Sequence, residues 1–243
     1  MKNIDKQCNE ICSWLREAVF AAKAKGVVLG LSGGIDSAVA AALCKRAFPE
    51  DTLCLILPCH SNPKDEEDAR LAAEKLGLRL EKVALDPVYD ILTKSIGSDE
   101  SDSRLLLGNI KSRLRMVTLY YYAGKNNYLV VGPTNKSELT IGYFTKHGDS
   151  GVDIMPIADF VKSEIYELAK YLGVPDELIY KAPTAGLWEN QTDEDEMRMS
   201  YKELDEYIAN GKADASIKNR VDAMHNASKH KRNMPQMYKR TGV

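Results

Sequence analysis

Val27-Val28-Leu29-Gly30-Leu31-Ser32-Gly33-Gly34-Ile35-Asp36-Ser37 runs from a short apolar stretch through a double glycine into an alanine-rich segment. Valine and leucine without polar alternation read as a strand buried on both faces, ending at Ser32. Asp36 to Ala47 reads as a helix. The turn between them lacks Cβ atoms at Gly33 and Gly34, so its backbone can approach an oxyanion closely. The helix that follows offers free N–H groups and the positive end of its dipole. With the Ser32 and Ser37 hydroxyls, residues 30–37 (Gly30, Leu31, Ser32, Gly33, Gly34, Ile35, Asp36, Ser37) form a predicted cradle for phosphates. It is not a Walker loop, because no lysine occupies the turn. Asp36 would repel phosphate unless a cation lay between them, which predicts a bound Mg²⁺. The plainer reading is a glycine turn with Asp36 capping a helix.

Working outward, Thr52-Leu53-Cys54-Leu55-Ile56-Leu57-Pro58 reads as a second buried strand. Ser61-Asn62-Pro63 followed by acidic residues marks a helix start, and Gly77 its end. Residues 78–85 read as a third strand, 103–124 as a long helix and 128–132 as a fourth strand. Residues 155–160 read as a short strand or loop. Helices are expected at about 163–172, 176–181, 200–210 and 213–230. Alternating strands and helices predict an α/β fold, a parallel sheet with helices on both faces. Ligands of such sheets bind at the carboxyl ends of the strands. Those ends fall at 32–37, 58–63 and 132–138.

The 243 residues carry 33 basic and 35 acidic side chains, a formal net charge of −2. That balance argues against a nucleic-acid binder. The N-terminal stretch is interrupted by charges and does not read as a signal peptide, and no apolar run is long enough to span a bilayer. A cytoplasmic protein without membrane association is expected. Cys8, Cys12, Cys44, Cys54 and Cys59 follow no framework and read as reduced, small apolar residues. The scattered histidines show no zinc-ligand spacing.

The Ser-Gly-Gly-Ile-Asp-Ser turn resembles the signature of the PP-loop ATP pyrophosphatases. Further on, Gly132-Pro133-Thr134-Asn135-Lys136-Ser137-Glu138, Gly142-Tyr143-Phe144-Thr145-Lys146-His147-Gly148-Asp149, Asp153-Ile154-Met155-Pro156, Lys181-Ala182-Pro183-Thr184-Ala185, Leu187-Trp188-Glu189-Asn190-Gln191-Thr192-Asp193-Glu194 and His230-Lys231-Arg232 resemble, in order, the motifs of the ammonia-dependent NAD synthetases. Asn109 to Met116 is also similar to that family. The resemblance covers nearly the whole chain. It implies an adenine-nucleotide alpha-hydrolase-like three-layer sandwich, a single domain over 1–243 without an amidase domain, and a homodimer with substrate near the subunit boundary. It also implies amidation of deamido-NAD with ATP and ammonia, through an adenylated carboxylate.

By the same resemblance, Lys162 and Thr184 bind ATP, with Gly30–Ser37. Asp36 and Glu138 hold Mg²⁺. Arg113, Lys146, Asp153, His230 and Lys231 bind deamido-NAD, and Asp153 and Lys162 are the catalytic candidates. Asp153 would orient ammonia or accept its proton. Pro133 departs from the family's threonine. It has no hydroxyl and no N–H, so it is kept only as a neighbour of ATP. Tyr120-Tyr121-Tyr122 fits a subunit interface or a core. Residues 143–152 and 184–200 are polar, glycine-containing segments expected to close over substrate. Two rival readings share the phosphate loop: a tRNA-modifying ligase, disfavoured by the charge balance and the lack of paired cysteines, and a non-catalytic nucleotide-binding module.

Overall fold

The structure, a computed structural model, describes residues 3–99, 101–188 and 191–241. Glu189 and Asn190 of the motif above lie outside the described residues. Four strands, β1 (Gly26–Gly30), β2 (Thr52–Ile56), β3 (Arg79–Lys82) and β4 (Tyr128–Val130), form one parallel sheet in the order β3-β2-β1-β4. The parallel sheet predicted from the alternation of elements is therefore present. Helices α1 (Ile4–Ala21), α2 (Ile35–Ala47), α3 (Pro63–Leu76) and α7 (Lys162–Leu172) contribute to a core on one face. Helix α5 (Arg104–Asn126) packs on the other face, with α4 (Asp86–Ser95) beside it.

The strand side chains divide between these two cores. Val27 and Leu29 join α1, α2 and α7, whereas Val28 joins α5; Cys54 and Ile56 face the first core, and Leu53 and Leu55 the second. Burial on both faces is why β1 and β2 read as unbroken apolar runs. Helix α2 is sandwiched in the same way, with Ala38, Val39, Ala40, Ala41, Leu43 and Cys44 all fully buried. Its small side chains let α1 and α7 approach it together. All five cysteines are buried free thiols, and burial pushes Cys8 up to about 11.

A smaller cluster joins α6 (Lys136–Ile141), α10 (Tyr201–Asn210) and α11 (Ala215–Ala227) through Ile141, Leu204 and Val221. Two short helices, α8 (Asp176–Ile179) and α9 (Asp193–Met197), and a 3-10 turn at Lys229–Lys231 complete the described elements. Some elements differ from the sequence reading. The third strand has four residues rather than eight, because Pro87 opens α4, an element the reading lacked. Residues 155–160, read as a short strand or loop, are loop; one parallel bridge, Val131 to Ile154, precedes them. Short helices α6 and α9 were also not foreseen as elements.

Strand order reverses between β1 and β4, since β2 and β3 lie to one side of β1 and β4 to the other. The crevice beyond the carboxyl ends of β1 and β4 is thus the place for a ligand.

Candidate active site

Residues 31–34 leave β1 and turn directly into α2. Gly33 has φ +79, and a Cβ there would come 2.4 Å from the Asp65 carbonyl oxygen. Two constraints therefore demand glycine: a left-handed backbone and the close passage of α3. Gly34 is the N-cap of α2 in extended conformation. The Ser37 hydroxyl donates to the Gly34 carbonyl at 2.9 Å, accepts from the Ser32 N–H at 3.2 Å, and lies 3.0 Å from the Ser32 hydroxyl. Ser37 is buried, so it shapes the loop from inside.

Asp36, in the first turn of α2, meets the first residue of α7. Lys162 Nζ donates to Asp36 Oδ2 at 2.5 Å, and Asn135 Nδ2 donates to Asp36 Oδ1 at 2.9 Å. Asn135 also caps α6, with a reciprocal bond from its own N–H to Glu138 Oε2 at 3.1 Å. One capping box therefore orients both acidic residues. Burial pushes Glu138 well above the usual carboxylate range and the nearby Asp36 adds to this, against the pull of Lys162. Burial lowers the Lys162 ammonium, yet Asp36 and Glu138 outweigh it and hold it above its ordinary value. The Lys162 ammonium also lies over the Tyr201 ring, 4.9 Å from its centroid.

A cavity of about 770 Å³ opens from this centre. Ser32, Asp36, Glu138, Lys162, Pro133 and Thr184 line it, as do Arg113, Lys146, His230 and Lys231. Its walls are the loop after β1, the segment after β2, one side of α5 and residues 181–188. Lys181 fastens that last segment to α3, donating to Asp65 Oδ1 and Asp68 Oδ2 at 2.8 Å each. Among the described residues, no group of three or more histidine, cysteine or acidic side chains is arranged as a complete metal cage.

The model of the NAD synthase family matches residues 7–235. The chain belongs to the NAD synthase family. The NH(3)-dependent NAD(+) synthetase of Carboxydothermus hydrogenoformans is 49% identical over 237 residues, 97% of this chain and 98% of its own. Among solved structures, the NMN synthetase from Francisella tularensis is 38% identical, with a TM-score of 0.93 over 98% of this chain and 99% of that one. The NH3-dependent NAD synthetase from Campylobacter jejuni is 34% identical, with a TM-score of 0.81 over 98% and 100%. This chain therefore shares the adenine-nucleotide alpha-hydrolase-like fold of the NAD synthase family, and the ATP-dependent ligase reading stands over its rivals.

Two of the residues assigned by resemblance sit differently from what NAD synthase motifs alone suggested. Asp153 does not line the cavity. Its Oδ2 accepts from the Val130 N–H at 2.7 Å and its Oδ1 from the Tyr120 hydroxyl at 3.0 Å, at the exposed β4 side of the sheet. Lys231 lines the cavity, but its ammonium donates to the Gly142 and Phe144 carbonyls at 2.9 and 2.8 Å. It pins the loop that carries Tyr143. Arg113 reaches the Lys146 carbonyl at 3.3 Å, which keeps the two cations at one end of the cavity.

Four polar residues of the site had no assigned role in the sequence reading: Asn135, Lys181, Asp193 and Tyr201. Asp193 is buried, lines the cavity, and accepts from the Tyr201 hydroxyl at 2.9 Å and the Tyr143 hydroxyl at 3.1 Å. For Asn135, Lys181 and Asp193 the available signal was their position inside the matched motifs, whereas Tyr201 lies outside them. Nothing in their spacing separated them from capping or surface residues.

Proposed function

We propose that this chain makes NAD from deamido-NAD, ATP and ammonia in two steps at the crevice between β1 and β4. The nicotinate carboxylate attacks the α-phosphorus of ATP, and pyrophosphate leaves. Ammonia then displaces AMP from the mixed anhydride. The observation that carries this reading is the Lys162–Asp36 pair beside the glycine turn, in a member of the NAD synthase family. Residues 32–37 hold the phosphates, and the Lys162 ammonium faces the charge that develops on them. Thr184, on the segment fastened by Lys181, closes the opposite wall. The cavity positions the reactants and keeps water from the adenylate.

Two carboxylates at one phosphate site are the donor set that Mg²⁺ takes when substrate oxygens complete its shell. Among the described residues Glu138 has no cationic ion-pair partner, and Lys162 is the one cation paired with its neighbour Asp36. Asp36 and Glu138 therefore fit the ion, which when bound would neutralise charge on the phosphate oxygens.

In this reading Arg113, Lys146 and His230, which line the cavity, hold the anionic part of deamido-NAD. Asp153 lies outside the cavity of a single chain, beside the exposed α5 surface. It reaches substrate only at a subunit boundary. A homodimer through this face is supported by Val117 and Tyr121 on α5, large apolar or aromatic side chains left 60% and 65% exposed. Tyr122, by contrast, packs into the core. A Val117→Asp variant that stays dimeric at micromolar concentration would exclude this face.

No described helix is long and apolar enough to cross a membrane, and the relatives' names support ammonia taken from solution or from a separate protein. The likeness to the Francisella NMN synthetase favours one second reading, amidation of the mononucleotide instead of the dinucleotide. Purified protein given ATP, Mg²⁺ and NH₄⁺ with either acceptor tests both. NAD and AMP from deamido-NAD are expected. Product from the mononucleotide alone selects the second reading, and no product from either rejects the ligase.

A further inference from the structure

Amide formation releases a proton as well as AMP. When ammonia attacks the adenylate, the N–C bond forms, the C–O bond to AMP breaks with its electron pair, and one N–H proton must leave a cavity that excludes water. The structure holds a chain of groups suited to carry it. Asp193 is 4% exposed and lines the cavity on the Lys162 side. Tyr143 Oη lies 3.1 Å from Asp193 Oδ1 and also donates to Glu196 Oε2. Glu196 reaches solvent and is steadied by Gln191 Nε2 at 2.9 Å. Tyr201 fixes the inner end, since its hydroxyl donates to Asp193 Oδ2 at 2.9 Å while its ring carries the Lys162 ammonium.

We propose that Asp193, Tyr143 and Glu196 form a proton exit from the amidation site to solvent, an inference that rests on the adenylation reading above. The arithmetic of donors supports it. The single phenolic proton of Tyr143 stands between two carboxylates, so the set is one proton short of satisfying every contact. A proton arriving on Asp193 is donated to Tyr143 Oη as the Tyr143 proton passes to Glu196 and then to water. No group gains net charge in the middle of the chain. Burial raises the Asp193 carboxyl against the opposing pull of Lys162 and the two phenols, which favours a carboxylate that accepts a proton readily.

The test separates the two half-reactions. In the absence of ammonia, ATP and deamido-NAD should give one burst of pyrophosphate in both the wild type and Tyr143→Phe. Ammonia-dependent NAD formation should then fall about tenfold or more in the variant, short of the roughly 10²–10⁴-fold expected for losing a catalytic base itself. Rising imidazole concentration should restore it, because a diffusible base replaces the exit. Glu196→Gln, at an exposed position, should act in the same direction, and the double variant should be no slower than the slower single one. A normal burst with unchanged amidation in Tyr143→Phe overturns the exit alone. Equal loss of burst and amidation, without imidazole recovery, overturns it as well by assigning Tyr143 a purely structural role. A wild type without any burst overturns the adenylation reading, and the exit with it.

Discussion

Lys162 Nζ and Asp36 Oδ2 lie 2.5 Å apart although their residues are 126 positions apart in the chain. The first turns of α2 and α7 are thereby locked together at the mouth of the crevice. The Lys162 side chain is 3% exposed and that of Asp36 16%. Removing one partner of so buried a pair leaves the other charge without compensation.

Lys162→Met should therefore lose activity and stability together. Pyrophosphate release should fall by about 10²–10³-fold, and chemical denaturation should show a loss of about 3–5 kcal/mol. A variant that keeps wild-type turnover would remove Lys162 from the phosphate site.

Glu138→Gln should separate stability from function. The folded-state pKa of Glu138 is raised, so between its unfolded and folded values the folded chain binds more protons, and stability falls as pH rises through that window. Glutamine keeps the capping bond to Asn135 without the charge. The ligand-free variant should gain roughly 0.5–2 kcal/mol at pH 7–8 and lose the wild type's fall in stability above about pH 5, while Mg²⁺-dependent turnover disappears. Melting curves across pH check the first claim and a Mg²⁺ titration of activity the second.

Gly33→Ala should destabilise the fold by about 2–5 kcal/mol, because the left-handed φ and the Asp65 carbonyl both oppose a Cβ. Urea denaturation measures this. Gly97 is the control, for it also has positive φ but meets nothing within 4 Å, so alanine there should cost only the backbone strain of roughly 1–2 kcal/mol.

Lys181→Ala should loosen the segment that carries Thr184, raising KM for ATP more than it lowers kcat. Burial pushes Asp68 up, but hydrogen bonds from Lys181 and Lys64 outweigh it and hold its carboxyl below its ordinary value. The stability from this pairing is present above about pH 4 and lost as pH falls through the folded value. Acid unfolding of the variant should thus show a shallower dependence on pH than the wild type.

Pro133→Thr tests the one departure from the family's motif. Pro133 and the buried Thr134 both line the cavity. A restored hydroxyl should tighten ATP binding by about 2–10-fold, the worth of one net hydrogen bond, read by calorimetry. Unchanged affinity would mean that no hydroxyl is needed at this position.

The parts legible in the sequence were those written in consecutive residues. The turn at 31–37, both central strands and the capped start of α3 each depend on neighbours in the chain. Helix α4 was hidden because Leu78 to Leu85 carries a strand pattern throughout, while edge strand β3 pairs only along Arg79–Lys82 and Pro87 then starts a helix. The pairing of Lys162 with Asp36 could not be read from spacing, since the closure of α7 onto α2 brings them together. Asp193 and Lys181 looked like ordinary acidic and basic residues in polar segments. Only burial against Tyr201, in one case, and docking on α3, in the other, distinguishes them. Asp153 shows the reverse: its motif was clear, but the Val130 N–H and Tyr120 claim its carboxylate in the single chain.

Lys231 braces the Gly142 and Phe144 carbonyls although it lies 89 and 87 positions further along the chain, and Arg232 reaches the Leu139 carbonyl at 3.3 Å. During synthesis on the ribosome, the floor beneath Tyr143 therefore stays unbraced until Lys231 and Arg232 emerge. All four strands of the sheet are made once Val130 has been added, whereas a competent pocket has to wait for the long stretch from there to Arg232.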